Sequence, residues 1–167
     1  HHSQMETPND VKITKCYIGT DETGTLAKGN GWEGIAINGN RHVIGGPDPE
    51  DANLISGNHL SQISVTGEQN VWSNTIIQGN FLGTDRTGQT TLSLYCPSFG
   101  IGLGNSRDGV VSENLISGVC DWGIVISDSS ENNLIENNMI GNYKCKIINP
   151  YTLLFDSKVT YVTQNII

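Results

Sequence analysis

Asn53-Leu54-Ile55-Ser56-Gly57-Asn58 is the stretch that decides the fold, because it returns. Thr75-Ile76-Ile77-Gln78-Gly79-Asn80, Asn114-Leu115-Ile116-Ser117-Gly118 and Asn133-Leu134-Ile135-Glu136-Asn137-Asn138 read as the same phrase. A second phrase alternates with it: Gly34-Ile35-Ala36-Ile37, Gln62-Ile63-Ser64-Val65, Gly100-Ile101-Gly102-Leu103 and Gly123-Ile124-Val125-Ile126. There the apolar residues fall at every other position, which is the strand period with one face buried. No part of the repeat region sustains a helical i, i+3, i+4, i+7 pattern.

The spacing carries the reading further. The sequence separation is 22 from Ile55 to Ile77, 19 from Ile116 to Ile135, and 39 from Ile77 to Ile116. A period of about 20 with two or three short strands per period predicts a β-solenoid, in which each turn buries its apolar residues against the next. Asn and Gly at the corners supply left-handed backbone conformations. Equivalent Asn residues on stacked turns can hydrogen-bond as ladders.

Composition agrees. In 167 residues there are 20 Gly and 18 Asn, 36 % apolar residues and only 16 % charged ones. A disordered chain of this hydropathy would carry more charge and more than 5 Pro. The formal charge is −8, and the nine Lys and Arg are scattered singly, so no phosphate-binding footprint for nucleic acid is present. No apolar run approaches the roughly 20 residues of a membrane helix. His1-His2-Ser3-Gln4 reads as the remnant of a purification tag, with Met5 as the native start.

Ile18-Gly19-Thr20-Asp21-Glu22-Thr23-Gly24-Thr25, with Leu82-Gly83-Thr84-Asp85-Arg86-Thr87-Gly88 as its repeat, resembles the right-handed parallel β-helix repeat proteins of the pectate-lyase-like superfamily. The subtype is the one with a recurring Ile-Gly-Thr-Asp-x-Thr-Gly phrase. The resemblance covers about residues 17–142. It implies a single-stranded right-handed parallel β-helix of about five coils, all-β, and suggests an extracellular or cell-surface setting. The expected organisation is a tag remnant at 1–4, an N-terminal segment or thin cap at 5–16, the β-helix at 17–144, and a non-repeat C-terminal β tail at 145–167. Lys146–Phe155 and Lys158–Ile167 read as strands. They serve as a cap or as an oligomer contact. Open solenoid ends need covering. A homodimer through an open end or through the tail strands is therefore expected.

The fold hosts lyases, hydrolases, adhesins and passive stalks, so function has to come from a site. The corner has a length of 8 from Ile55 to Ile63, and again from Ile116 to Ile124. It grows to 24 between Ile77 and Ile101, and to 17 between Ile18 and Ile35. Both long versions begin with Gly-Thr-Asp-x-Thr-Gly, so two loops should leave one edge with a plain coil between them, their bases about 10 Å apart. Trp32, Phe99 and Trp122 precede the Gly-Ile strands of three coils, and Tyr95 lies in the longer loop. These rings, with Asp21 and Asp85, form a candidate polysaccharide-binding edge. Packing over their own loops would also place rings there. Asp followed by Thr-Gly is equally good turn chemistry.

The catalytic phrases of the resembled enzymes are missing: neither a Trp-Ile-Asp-His phrase nor the polygalacturonase set occurs. The first expectation is therefore a non-catalytic structural or binding module. The alternatives are a carbohydrate-active enzyme (lyase- or glycosidase-like) with Arg86 as base beside Asp85 and Asp21, and a fragment of a larger β-helix protein. Asp48, Glu50 and Asp51 put oxygen ligands close together and are weak Ca²⁺ candidates; no other cofactor is expected. His42 and His59 lack metal-ligand spacing and read as structural or exposed. Cys96 and Cys120 occupy similar corners of consecutive coils and should be close neighbours, bonded or reduced, with Cys145 in the next corner and the state of Cys16 left open.

Overall fold

The structure is a computed structural model that describes residues 8–67, 73–141, 153–157 and 160–163. Its strands come in threes. The first unit is β1 (Lys12–Ile13), β2 (Tyr17–Ile18) and β3 (Glu33–Asn38). The second is β4 (Val43–Gly45), β5 (Leu54–Ile55) and β6 (Ser61–Thr66). The third is β7 (Ile76–Gln78), β8 (Phe81–Leu82) and β9 (Phe99–Gly104). The fourth is β10 (Val110–Ser112), β11 (Leu115–Ile116) and β12 (Trp122–Ser130). The fifth is β13 (Asn133–Glu136), β14 (Met139–Ile140) and β15 (Leu153–Ser157), and β16 (Thr160–Thr163) follows.

Each strand pairs in parallel with the one three places on. The result is three parallel sheets: β1-β4-β7-β10-β13-β16, β2-β5-β8-β11-β14 and β3-β6-β9-β12-β15, here the first, second and third sheets. None of them closes on itself. The chain is all-β, and its visiting of the three sheets in turn is compatible with a β-helix or solenoid. Among the described residues the only helical turn is a short 3₁₀ piece at Pro49–Asp51.

The core is the set of inward columns that this register creates. In the third sheet Ile35, Ile63, Ile101 and Ile124 align, as the second phrase predicts. Ile44, Ile77, Val111 and Ile135 align in the first sheet. Ile55, Leu82, Ile116 and Ile140 align in the second. All twelve are buried, and each contributes about 2 kcal/mol of apolar burial.

Two expectations are corrected here. The Asn-x-Ile phrase is not one repeat but two. Leu54-Ile55 and Leu115-Ile116 lie in the second sheet, whereas Ile76-Ile77 and Leu134-Ile135 lie in the first. The short period mixed the two. Along the second sheet the true steps are uneven. Ile18, Ile55, Leu82, Ile116 and Ile140 stack in register. The neighbouring column of Cys16, Asn53, Asn80, Asn114 and Asn138 has the same separations: 37, 27, 34 and 24. The second correction concerns the ends. β15 and β16 do not stand apart as a non-repeat tail: Ile124 to Ile126 pair with Leu153 to Phe155, and Leu134 and Ile135 with Tyr161 and Val162. At the other end β1, within the proposed thin cap, is already the first strand of the first sheet. The tag remnant, Met5 and Cys145 lie outside the described residues.

Corners follow the expected chemistry. Gly79 (φ 71°) and Asn137 (φ 55°) make left-handed bends between the first and second sheets. Just beyond that bend runs a ladder of buried amides, Asn53, Asn80, Asn114 and Asn138.

Candidate functional site

The two Gly-Thr-Asp-x-Thr-Gly segments are small hairpins at the exit of the second sheet. Thr20 bridges Ala27, and Thr84 bridges Thr91, both antiparallel. With the register corrected, the equivalent connections run from Ile18 to Ile35 and from Leu82 to Ile101, and they are nearly alike in length. They do leave one edge with the plain β5 unit between them. They also touch: the Arg86 N–H donates to the Gly24 carbonyl at 3.0 Å.

Asp21 and Asp85 close these hairpins from inside. Asp21 Oδ1 accepts the Thr25 and Leu26 N–H groups, each at 3.0 Å, and Oδ2 accepts the Thr23 hydroxyl at 2.6 Å. Asp85 Oδ1 accepts the Thr87 N–H and hydroxyl and the Gln89 N–H. Hydrogen bonds to the charged form hold the Asp21 carboxyl down at about 2, the Thr23 hydroxyl first among them. For Asp85, desolvation pushes upward, but hydrogen bonds from Thr87, Thr90 and Gln89 outweigh it and its pKa is also lowered. The turn role of both residues is thus on view.

The hairpins lie flat on the second sheet. A Cβ at Gly24 would come 2.7 Å from Leu54 Cδ2 and 2.9 Å from Tyr17 Cε2, and one at Gly88 2.7 Å from Leu115 Cδ2 and 3.1 Å from Phe81 Cε1. Tyr17, Leu54, Phe81, Leu115 and Met139 form one column in register. Each hairpin packs against two of its members, burying Leu54 but leaving Tyr17 46 % exposed, and Met139, beyond the second hairpin, is 51 % exposed. A positive φ at Gly24 (66°) and Gly88 (72°) makes this close approach feasible.

The aromatic edge differs from the expected single row. Phe99 and Trp122 are in register, but the residue of the first unit in their column is Glu33, with Ser61 between. Trp32 sits one position earlier and is 72 % exposed. The Phe99 ring lies over Gly102, where a Cβ would come 2.7 Å from Cε2, so Phe99 covers its own strand. Tyr95, half exposed, packs at 4.4 Å on His59 of the second unit. The His59 Nδ1 lies 3.2 Å from the Gly31 carbonyl. Trp32, His59 and Tyr95 therefore follow one another on three consecutive units. His59 is the member that the sequence did not reveal; its nearness to Gly31 depends on stacking. Cys96, next to Tyr95, has its Cα 5.4 Å from that of Cys120, the nearness that the corner reading anticipates, and of the two states left open there the pair is in the disulfide. Cys16 is free.

The chain matches no protein-family model, no curated protein and no solved structure.

Asp48, Glu50 and Asp51 flank or form the 3₁₀ turn. They do not come together as a cation site: among the described residues no three His, Cys, Asp or Glu side chains converge as metal ligands. Asp51 lies 3.8 Å from Lys15. A groove of about 240 Å³ opens beside the turn, with Pro47, Pro49, Phe81 and Leu115 on its walls and Asp48 and Glu113 at its margin.

Among the described residues His42 is the buried titratable group. Its Nδ1 accepts the Val11 N–H at 3.3 Å, and Nε2 lies 3.2 Å from the Asn38 carbonyl, a pattern that suits the neutral ring with the proton on Nε2. Burial lowers its pKa below 6.5, with Asp10 opposing the shift and Arg41 adding to it. A lowered folded-state pKa means that the unfolded chain binds the proton more readily. Stability should therefore be full above pH 6.5 and fall as pH drops below it. Denaturant midpoints taken from about pH 7.5 to 5 should decline, and His42→Gln should flatten that decline. An unchanged slope in the variant would refute the assignment. Asp10, lowered by its bond to Arg41, and Asp21 and Asp85 add a separate loss below pH 3.8.

Proposed function

We propose that this chain is a non-catalytic binding module, built on a single-stranded right-handed parallel β-helix of the pectate-lyase-like kind. It binds a polysaccharide along the edge where the second sheet passes into the third. Support for the architecture is the three-sheet connectivity with strands pairing at every third place. The observation that carries the binding role is the exposure of Trp32 at 72 %, on the same edge as the half-exposed Tyr95. A large ring left in water on a rigid edge offers a flat apolar face to the C–H face of a sugar.

The enzymatic alternative has less support. Asp21 and Asp85 are engaged by donors of their own hairpins and stay ionised at neutral pH, so neither has a proton to give. Trp32→Ala is expected to weaken binding by about tenfold or more, with the unfolding midpoint unchanged because the ring is not part of the core. Affinity electrophoresis and tryptophan fluorescence against a panel of oligosaccharides would read this. Equal affinity in the variant would overturn the assignment.

A further inference from the structure

We propose that the ligand of this edge is an uncharged glycan, extended along the direction in which the strands stack, and not a polyuronate. The proposal rests on the binding-module reading above.

Charge selects the class. In the first four units the residues that lead directly into the third sheet and form it, 31–38, 59–66, 93–104 and 119–127, contain no Lys and no Arg. They contain two carboxylates, Glu33 beside Trp32 and Asp121 beside Trp122. Lys28 and Arg86 fall earlier in the two hairpin connections, before these segments begin. Three other cations are held in ion pairs: Arg41 with Asp10 at 2.8 Å, Arg107 with Glu131 at 3.2 Å and Lys15 with Asp51 at 3.8 Å. A polymer with a carboxylate on every sugar is held by arginine forks, lysines or bridging cations. Here it would meet like charge on a chain of net −8. An uncharged glycan asks only for ring faces and neutral hydrogen-bonding groups, which is what these segments supply.

Geometry selects the orientation. Trp32 immediately precedes β3 of the first unit and Tyr95 lies in the connection into β9 of the third, strands that are two strand spacings or about 10 Å apart along the stack. That is the scale of a disaccharide in an extended chain. His59, 4.4 Å from the Tyr95 ring, occupies the unit between them. Beside this line the outward column of the third sheet is Ala36, Ser64, Gly102 and Val125, in register, small and uncharged. A glycan chain can approach it closely over Ala36 and Ser64, up to the Phe99 ring that lies over Gly102. Running along the stack, it meets rings two sugars apart and lies over that face.

The test is calorimetric titration of the full chain with two sets of oligosaccharides of increasing length. One set is uncharged (cello-, xylo-, manno- and N-acetylated chito-oligosaccharides). The other is uronic (oligogalacturonates and alginate oligomers), with Ca²⁺ and with chelator. At least one uncharged series should bind, tightening with length until the span from Trp32 to Tyr95 is covered and then levelling. Uronates should bind at least about tenfold more weakly at low salt, the gap narrowing near 0.15 M salt, where the Debye length is about 8 Å. Uronate binding as tight as the best uncharged series, and lost in Trp32→Ala, would overturn the charge inference while leaving the module intact. No binding from either set would overturn both.

Discussion

Asn80→Ala is expected to lower the unfolding free energy by about 3 kcal/mol, although the residue touches no ligand edge. Its side chain is 1 % exposed and sits in the middle of the amide ladder. Asn80 Oδ1 accepts both the N–H and the Nδ2 of Asn53, at 3.2 and 2.9 Å. Its Nδ2 donates to Asn114 Oδ1 at 3.0 Å and to the Ile44 carbonyl at 2.9 Å. Asn114 repeats the pattern toward Asn138 at 3.0 Å and toward the Ile77 carbonyl at 2.9 Å. Alanine removes these four bonds of Asn80 at once and takes away the acceptor that the buried Asn53 N–H uses. Because the site is buried, the desolvation penalty is felt in full. Urea unfolding should show a lower midpoint at unchanged slope. A loss under about 1 kcal/mol would mean that the ladder is incidental to stability.

Removal of the Cys96–Cys120 bond should cost a similar amount. The bond joins residues 24 apart in sequence, on the third and fourth units. Closing a loop of that length restricts the unfolded chain by about 3 kcal/mol in the chain-entropy account. The Cys96→Ser, Cys120→Ser double variant should therefore unfold at lower denaturant, and reductant should shift the native chain to the same midpoint. Cys16, free among the described residues, should leave the midpoint unmoved when replaced by Ser. Identical midpoints for native and double variant, with and without reductant, would show that the bond does not hold the fold. Because Tyr95 adjoins Cys96, the double variant should also lose part of any affinity measured along the edge.

Much of this molecule was legible in its residues, unevenly. The Gly-Ile-x-Ile phrases by themselves give the register in which they pair, Ile35 with Ile63, Ile101 and Ile124. Their alternation is a property of each strand by itself, and each unit carries one such phrase. The first and second sheets are hard to tell apart in sequence because both present two apolar residues close to an Asn. Asn80 shows why: it follows Ile77-Gln78-Gly79 of one sheet and immediately precedes Phe81-Leu82 of the next. Leu153–Ser157 and Thr160–Thr163 do not show their place in the repeat because they lack the Gly-Ile and Asn-x-Ile phrases of the earlier units, yet both pair in parallel, the first with a register shift between Ile126 and Ser130.

For the candidate site the division is sharper. The residues by themselves determined an all-β chain of stacked short strands, the edge that carries the long connections, the turn chemistry of Asp21 and Asp85, and the nearness of Cys96 to Cys120. These rest on alternation, corner residues and spacing, which are local and survive a misassigned register. Tertiary structure alone decided that the hairpins pack against Tyr17, Leu54, Phe81 and Leu115, and that Trp32 stands one place out of the Phe99–Trp122 column. It alone brought His59 onto Tyr95. A shift of one residue turns a side chain to the other face of a strand. Burial depends on partners a whole unit away along the chain, so only the pairing of complete units sets which rings are covered and which face water.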